Sequence, residues 1–368
     1  MSEGPLTILI TGNMGYVGPA VVRQLRRAYP RTRLTGFDTG YFANCLTAAE
    51  VLPECRLDLQ PFGDVRNFPE ETLGGVDTIV HLAAISNDPM GESFDAATSA
   101  INHRASVRVA ALAKAAGVKR FVFASSCSVY GLAGGEPRTE ADPVNPLTAY
   151  AKSKVLAERD LSQLADEAFQ VTSLRFATAC GMSERLRLDL VLNDFVASAV
   201  VLKRIEVLSD GTPWRPLIAV ADMARAIEWA VAREPGAGDA FLVVNAGEDQ
   251  WNFRIGALAE AVAGNVPGTD VTINRNAPPD KRSYRVDFSL FRKLAPDHQP
   301  LADLPTTIAG LCAGLKAMGF SDPRFRDSQF SRLKVLERLR SNGLLTQDLA
   351  WRDGPAPGTT ERTARNEL

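Results

Sequence analysis

Histidine is scarce in this chain of 368 residues, which contains only His81, His103 and His298. The five cysteines, at positions 45, 55, 127, 180 and 312, show no C-x-x-C spacing and are odd in number. Zinc sites need clusters of these two residue types at short spacing. We therefore expect no metal site, and we expect free thiols in a reducing cytoplasm rather than a disulfide framework.

Long apolar runs and concentrated charge are also missing. No stretch of about 20 apolar residues is present to span a membrane, and residues 1–5 lack the basic start that precedes the apolar run of a signal peptide. The formal net charge is −2, and the nearest basic cluster, residues 23–33, has the spacing of a solvated helix face. We expect neither a membrane nor a nucleic-acid partner.

Short apolar or β-branched runs alternate with helical patterns in the first half of the chain. Strands are predicted over residues 6–10, 34–37, 76–80, 120–124 and 171–176, and helices over 15–28 and 100–116. Such alternation is typical of a parallel sheet covered by helices on both faces. We predict an α/β fold, a Rossmann-type doubly wound parallel sheet with a smaller C-terminal substrate-binding region.

A glycine-rich turn connects the first predicted strand to the first predicted helix. Gly12 can make the tight turn, Gly15 leaves room for a pyrophosphate, and Gly18 lets helix and strand pack closely. The helix N-terminus then offers N–H groups to phosphate oxygens. The turn predicts a dinucleotide site, with cofactor contacts from Gly12, Met14, Gly15, Tyr16, Val17 and Gly18.

Asp38 ends the second predicted strand, 20 residues after Gly18. A carboxylate at this place can accept hydrogen bonds from both ribose hydroxyls of an adenosine and would repel a 2′-phosphate. We therefore predict NAD rather than NADP as the cofactor.

Proline and glycine become frequent after about residue 180, and the predicted strands become short. We predict an NAD-binding domain over residues 1–180 and a mainly substrate-binding region over residues 181–353. Residues 220–245, with a helix predicted over 221–232 and a strand over 241–244, are expected to return to the first domain. The polar segment 354–368 is expected to be a disordered tail.

The motifs, in this order, resemble the extended short-chain dehydrogenase/reductase family, whose members mostly act on nucleotide sugars. The glycine spacing is that family's T-G-x-x-G-x-x-G, and Tyr150 and Lys154 match its Y-x-x-x-K. The resemblance covers roughly residues 5–250, and further matching segments are 63–66, 81–84, Asn102, 125–131, 174–176 and 214–222. Thr178 and Ala219 depart from the Asn and His that the family often has there, which leaves the substrate's identity open.

The resemblance implies further contacts with NAD and with a nucleotide-sugar substrate. Asp64 stands where the family holds the adenine amino group, and the remaining implied cofactor contacts are Val65, Leu82, Ala83 and Ala84. The residues expected near the substrate are Ser86, Ser128, Thr178, Asn193, Arg215 and Arg282. The two arginines are candidates for phosphate because a guanidinium matches phosphate oxygens in a bidentate way, whereas Asn193 could equally be a helix cap.

Tyr150 and Lys154 are four residues apart, so on a helix they share one face. A free tyrosine has a pKa of about 10 and is a poor base near neutrality. A lysine ammonium and the positive nicotinamide ring beside it would favour the phenolate. We predict that Tyr150 is the acid/base, that Lys154 lowers its pKa, and that Ser126 hydrogen bonds the reacting oxygen. Tyr150 and Lys154 are also expected to bind the cofactor.

The residues before Tyr130 bear on the type of reaction. In the 4,6-dehydratases that this sequence resembles, Asp and Glu stand where Cys127 and Ser128 stand here, and neither of these is a ready acid/base. Strand alternation would also turn Cys127 away from the site. We predict a nucleotide-sugar 4-epimerase that oxidises its substrate transiently to a 4-keto sugar. The alternatives are a dehydrogenase or keto-reductase, then a 4,6-dehydratase, and a non-catalytic NAD-sensing scaffold.

Two predicted helices, residues 100–116 and 150–165, are rich in small and apolar residues. In the resembled family such helices pair across a two-fold axis into a four-helix bundle. We therefore expect a homodimer.

Overall fold

The computed structural model describes residues 6–47, 49–234, 239–277 and 282–352. The strands are β1 (Thr7–Thr11), β2 (Arg33–Phe37), β3 (Thr78–His81), β4 (Arg120–Ser126), β5 (Gln170–Phe176), β6 (Thr178–Cys180), β7 (Arg204–Val207), β8 (Trp214–Ala219), β9 (Phe241–Ala246), β10 (Asn252–Arg254) and β11 (Asp270–Ile273). The helices are α1 (Gly18–Ala28), α2 (Asp88–Ser93), α3 (Asp95–Thr98), α4 (Ser106–Ala115), α5 (Ala149–Ser162), α6 (Val191–Leu202), α7 (Val220–Ala232), α8 (Ile255–Asn265), α9 (Ser289–Leu294), α10 (Leu304–Ala317) and α11 (Arg332–Ser341). The predicted tail, residues 354–368, lies outside the described residues.

A parallel sheet lies at the centre of the molecule, with the strand order β2-β1-β3-β4-β5-β9. The chain moves outward from β1 to β2 and then crosses to the other side of β1 to form β3. Such a reversal leaves a crevice at the carboxyl ends of the strands, where ligands bind in folds of this type. The predicted Rossmann-type sheet is confirmed.

Helices cover both faces of this sheet. Helix α1 packs with α7 on one face, and α4 packs with α5 on the other. Successive residues of β1 pack against the helices on opposite faces of the sheet. Ile8 and Ile10 belong to one apolar cluster, and Leu9 belongs to the other. The sheet is therefore buried on both faces, as its continuous apolar strands indicated.

The second half of the chain adds smaller elements beside the carboxyl edge of the main sheet. β8 pairs with β6 and β10, and β7 pairs with β11. Strand β9 joins the main sheet beside β5. The division into two domains remains a prediction.

The described residues contain no helix that is both long and apolar enough to cross a membrane. Within those same residues, no group of three or more His, Cys, Asp or Glu side chains is placed to hold a metal ion.

Candidate active site

A cleft of about 870 Å³ runs along the carboxyl ends of the central strands. Its lining contains nineteen of the twenty-one residues predicted for the site: Gly12, Gly15, Tyr16, Val17, Gly18, Asp38, Asp64, Val65, Leu82, Ala83, Ala84, Ser86, Ser126, Ser128, Tyr150, Lys154, Thr178, Arg215 and Arg282. The structure thus brings together residues that are up to 270 positions apart in the sequence. Met14 and Asn193 do not line the cleft.

The glycine turn that precedes α1 has two positions that exclude a Cβ and a third, Gly15, where a Cβ would be tight. A Cβ on Gly12, whose φ is +74°, would lie 2.5 Å from the backbone N of Ala83, and a Cβ on Gly18 would lie 1.9 Å from the carbonyl O of Asn13. At Gly15 the nearest atom would be the Gly12 O at 3.2 Å. The first N–H groups of α1 have no intrahelical acceptors, so the turn fits a pyrophosphate at the helix N-terminus.

Asp38 is positioned by two backbone N–H groups at the end of β2. Met14 N donates to its Oδ2 at 3.0 Å, and Gly40 N donates to its Oδ1 at 2.7 Å. Burial raises the pKa of Asp38, and these two hydrogen bonds oppose the rise. The N–H group of Met14 thus orients Asp38, which lines the cleft, while the cofactor contact expected of Met14 itself stays a prediction.

We expect NADH to bind roughly tenfold or more tightly than NADPH, because a 2′-phosphate beside Asp38 places like charges together. Titration calorimetry with both nucleotides measures the ratio. The Asp38→Asn variant should have a smaller ratio of NADH to NADPH affinity, because the amide keeps a hydrogen-bond acceptor but lacks the negative charge. Equal affinities in the unmodified protein would show that Asp38 does not select the cofactor.

Asn102 fixes the part of the cleft that follows β3. It lies in a π-helical stretch, Ser99–Ala105, which forms the first part of the helix predicted over residues 100–116. Its Oδ1 accepts from the N–H of Ile85 at 2.8 Å, and its Nδ2 donates to the Ile85 O at 2.8 Å. π-Helical stretches are frequent at functional sites, and this one holds residues 82–86 against the cleft.

Tyr150 and Ser126 meet at the middle of the cleft. Tyr150 lies in the first turn of α5, Ser126 ends β4, and their hydroxyls hydrogen bond. Burial raises the pKa of Tyr150 to about 12, while the bond from Ser126 and the charge of Arg187 lower it. The protein's own groups therefore keep this phenol protonated at neutral pH.

Lys154 lies one turn after Tyr150 on the same face of α5. Its Nζ lies 5.8 Å from the centre of the Tyr150 ring and donates to the Ala124 O at 2.7 Å. Burial lowers the pKa of Lys154 to about 7, and the carboxylate of Glu158 opposes this. A phenolate at Tyr150 would raise the pKa of Lys154 and so keep its ammonium group charged. The ammonium in turn stabilises the phenolate, so each charge favours the other.

One cation does not suffice to activate the tyrosine. Bringing the pKa of Tyr150 from about 12 to about 7 requires about 7 kcal/mol of differential stabilisation. A unit charge about 6 Å away supplies about 3 kcal/mol at an effective dielectric constant of about 20. Lys154 therefore accounts for about half of the requirement, and the residues fit a cofactor with a positive ring that supplies the rest.

Cys127 and Ser128 begin a single 3₁₀ turn, Cys127–Tyr130, directly after β4. The thiol of Cys127 is fully buried, contacts the Arg175 O at 3.1 Å and does not line the cleft. Burial raises its pKa further above neutrality. The thiol therefore points away from the cleft, as the sequence predicted. Ser128 faces the cleft with a buried Oγ that has no protein partner within the described residues.

The same cleft contains most of the residues predicted for the substrate. Arg215 extends from β8 over the Tyr284 ring, with the guanidinium carbon 5.7 Å from the ring centre. Arg282 is half exposed and contacts Asp88 at 3.1 Å. Thr178 begins β6, and Ser86 Oγ accepts from Arg187 Nη1 at 2.9 Å.

Asn193 does not line the cleft, and the substrate contact that was one of two expectations for it stays a prediction. Its Oδ1 accepts from Gly181 N at 2.9 Å, and its Nδ2 donates to Tyr16 Oη at 2.9 Å and to Arg187 O at 2.8 Å. The side chain is completely buried, and its hydrogen bonds connect the segments that contain Gly181, Tyr16 and Arg187.

Sequence reasoning missed two buried arginines that line the cleft, Arg187 and Arg332. Arg187 forms a bidentate pair with Asp189, at 2.8 and 2.9 Å. The alternation of charged and apolar residues over 185–189 was a signal for inward-facing charges. Arg332 begins α11, where nothing in the local pattern marks it.

The comparisons with known proteins agree with this geometry. The model of the NAD dependent epimerase/dehydratase family matches residues 8–247. An uncharacterized UDP-glucose epimerase, YtcB, of Bacillus subtilis is 26% identical over 268 residues, which cover 70% of this chain and 83% of that protein. A UDP-glucose 4-epimerase of Corynebacterium glutamicum is 25% identical over 292 residues, which cover 74% of this chain and 85% of that protein.

Among solved structures, MoeE5 in complex with UDP-glucose and NAD is 25% identical with a TM-score of 0.68, and the match covers 84% of this chain and 99% of that one. The family match spans more than half of the chain and contains the glycine turn, Asp38 and the Tyr150–Lys154 pair. The chain therefore belongs to the NAD dependent epimerase/dehydratase family, as an enzyme of the extended short-chain dehydrogenase/reductase type with NAD as its cofactor.

Proposed function

We propose that this protein is a nucleotide-sugar 4-epimerase. The observation that carries the proposal is the pairing of an intact Ser126, Tyr150 and Lys154 set with a cleft wall at residues 127 and 128 that offers no second acid/base. A 4-epimerase needs only one such group, because the same proton leaves and returns at one oxygen.

Tyr150 performs the proton transfer in this proposal. Its phenolate takes the proton of the sugar's 4-hydroxyl, and Ser126 fixes that oxygen within hydrogen-bond reach. NAD, when bound, supplies the hydride acceptor and later the hydride donor. After the keto sugar has turned, Tyr150 returns the proton to the same oxygen, so that both the protein and the cofactor end as they began.

For the keto sugar to turn within the cleft, the diphosphate part of the substrate must remain bound. Arg215 lines the cleft over the Tyr284 ring, and its guanidinium suits a diphosphate. Arg282 provides a second cation at the rim. Relatives named as UDP-glucose epimerases cover most of the chain, so we infer a UDP-sugar as the first substrate to examine.

The alternatives differ in what they require. Net dehydrogenation or keto-reduction uses the same three residues and is the main competitor. A 4,6-dehydratase needs a second proton donor and acceptor, for which the buried Cys127 and the neutral Ser128 are poorly suited. An NAD-sensing scaffold does not require the complete Ser126, Tyr150 and Lys154 set.

A product screen tests the proposal. UDP-, dTDP-, GDP-, CDP- and ADP-sugars are incubated with the protein and a catalytic amount of NAD, and the products are identified by NMR and mass spectrometry. We expect a 4-epimer without net NADH. A 4-keto-6-deoxy product, or NADH in stoichiometric amount, would contradict the proposal.

A cytoplasmic location stays a prediction of the sequence.

We infer that the protein forms a homodimer through α4 and α5. Arg108 of α4 and Lys152 and Arg159 of α5 are exposed, whereas the apolar side chains of Val107, Leu112, Val155 and Leu156 are half-buried. A dimer through these helices would therefore have to accommodate these basic side chains. Light scattering at micromolar concentration should give twice the mass of one chain, and a monomeric mass would refute the dimer.

A further inference from the structure

The last described segment, residues 331–352, returns to the end of the cleft where Asp38 lies, and we call it the C-terminal clasp. Trp351 Nε1 donates to the Thr39 O at 2.6 Å, and the Tyr41 hydroxyl donates to the Leu349 O. Arg66 Nη1 donates to the Asp348 O at 2.6 Å. The clasp therefore braces, from outside, the two loops that follow β2 and precede β3.

These two loops line the part of the cleft that fits the adenosine of the dinucleotide. Thr39, Tyr41 and Phe42 belong to the lining, as do Asp64 and Val65. The rings of Tyr41 and Trp351 lie 5.8 Å apart, which adds an aromatic contact between loop and clasp. Opening this end of the cleft requires these contacts to break.

The clasp also inserts one cation into the wall of the cleft. Arg332 is 1% exposed, and its guanidinium donates to the Arg185 O at 2.7 Å and lies 4.7 Å from the centre of the Phe42 ring. Nearby, Arg185 pairs with Glu54 and Arg187 with Asp189. Within the described residues, no carboxylate lies within ion-pair distance of the Arg332 guanidinium.

A buried cation without a carboxylate is costly unless an anion approaches it. Burial lowers the pKa of Arg332 to about 10, and the nearby Arg187 acts in the same direction. The guanidinium remains charged at neutral pH and lines the cleft. The geometry thus calls for an anionic group of the ligand at this position.

The position of Arg332 identifies that anion. Phe42 comes shortly after Asp38, and residues 183–189 are tied to the glycine turn because Ser183 Oγ donates to the Tyr16 O at 2.7 Å. Arg332 lies between these two segments, and it is distinct from Arg215 and Arg282, the two cations proposed for the substrate. The diphosphate of the dinucleotide is the anion that passes from Asp38 to the glycine turn.

We propose that the C-terminal clasp retains NAD in the cleft between turnovers, with Arg332 as an additional cation for the dinucleotide's diphosphate. The clasp lies outside residues 8–247, the part that the family model matches. The proposal holds whichever reaction the site catalyses.

The release rate of the cofactor tests the proposal without any measurement of turnover. Protein loaded with NADH is mixed with excess NAD, and the loss of NADH fluorescence is followed by stopped flow. Arg332→Gln and Trp351→Ala should each release NADH roughly tenfold faster or more. Lys316→Gln, an exposed change on α10 outside the clasp, should leave the rate unchanged.

Two ligand fragments separate the role of the Arg332 charge from that of the contacts between the clasp and the two loops. Arg332→Gln should weaken ADP-ribose, which has the diphosphate, and leave adenosine within about twofold, whereas Trp351→Ala should weaken both. The melting temperature without ligand should not fall in Arg332→Gln, because a buried unpaired charge is removed. Unchanged release in both variants would overturn the proposal, and if Arg332→Gln does not fold, Trp351→Ala decides it.

Discussion

Replacing Tyr150 with phenylalanine should lower kcat by about a thousandfold and leave NAD affinity within a few fold. The substitution removes one hydroxyl, and general acid/base catalysis by one positioned group is worth about 10² to 10⁴ in rate. Phenylalanine keeps the ring that packs in the first turn of α5, so the cleft should keep its shape. A loss in kcat and in kcat/KM by equal factors is the expected signature.

Tyr29→Phe is the matched control for that experiment. Tyr29 directly follows α1 and does not line the cleft, and burial raises its pKa as well. Steady-state kinetics of both variants, with NAD affinity by calorimetry, separate a role in chemistry from a general effect of losing a phenol. If the Tyr150 variant kept most of its activity, another group would have to be the base.

Replacing Lys154 with methionine should lower kcat by about a hundredfold and weaken NAD binding as well. Methionine fills a similar volume but removes the charge, and losing about 3 kcal/mol of phenolate stabilisation corresponds to about two orders of magnitude. The removal of a cation disfavours the phenolate and raises the pKa of Tyr150. The acidic limb of the kcat profile should therefore move to higher pH.

Lys152→Met is the control, because Lys152 lies on the same helix but is exposed. Steady-state rates between pH 6 and pH 10, measured for both variants, give the comparison. Equal losses in the two variants would mean that the effect comes from changing the helix. An unchanged pH profile in the Lys154 variant would mean that Lys154 does not act on Tyr150.

The features that could be predicted from the sequence were local ones. The glycine turn, Asp38 and the Tyr150–Lys154 pair are each determined by spacing within one strand-turn-helix unit or one helix. Their common cleft followed from the rule that the carboxyl ends of parallel strands meet at one edge.

The features that could not be predicted depend on contacts between distant segments. Asn193 was ambiguous because a polar residue in an apolar helix can face a ligand or serve other buried groups, and only the positions of Gly181, Tyr16 and Arg187 decide this. Arg332 is separated from Phe42 by 290 residues of sequence. The pKa of Tyr150 likewise depends on burial that no local pattern reveals.

The fate of the hydrogen at C4 tests the central claim most directly. A UDP-sugar that the protein converts is prepared with deuterium at C4 and incubated with a catalytic amount of NAD, and the epimers are analysed by NMR and mass spectrometry. If one sugar carbon gives up its hydrogen and takes it back within one turnover, both epimers should retain the deuterium at C4 and no NADH should accumulate. Loss of the label to solvent, or a product with its oxidation state changed and NADH formed in equal amount, would contradict the 4-epimerase.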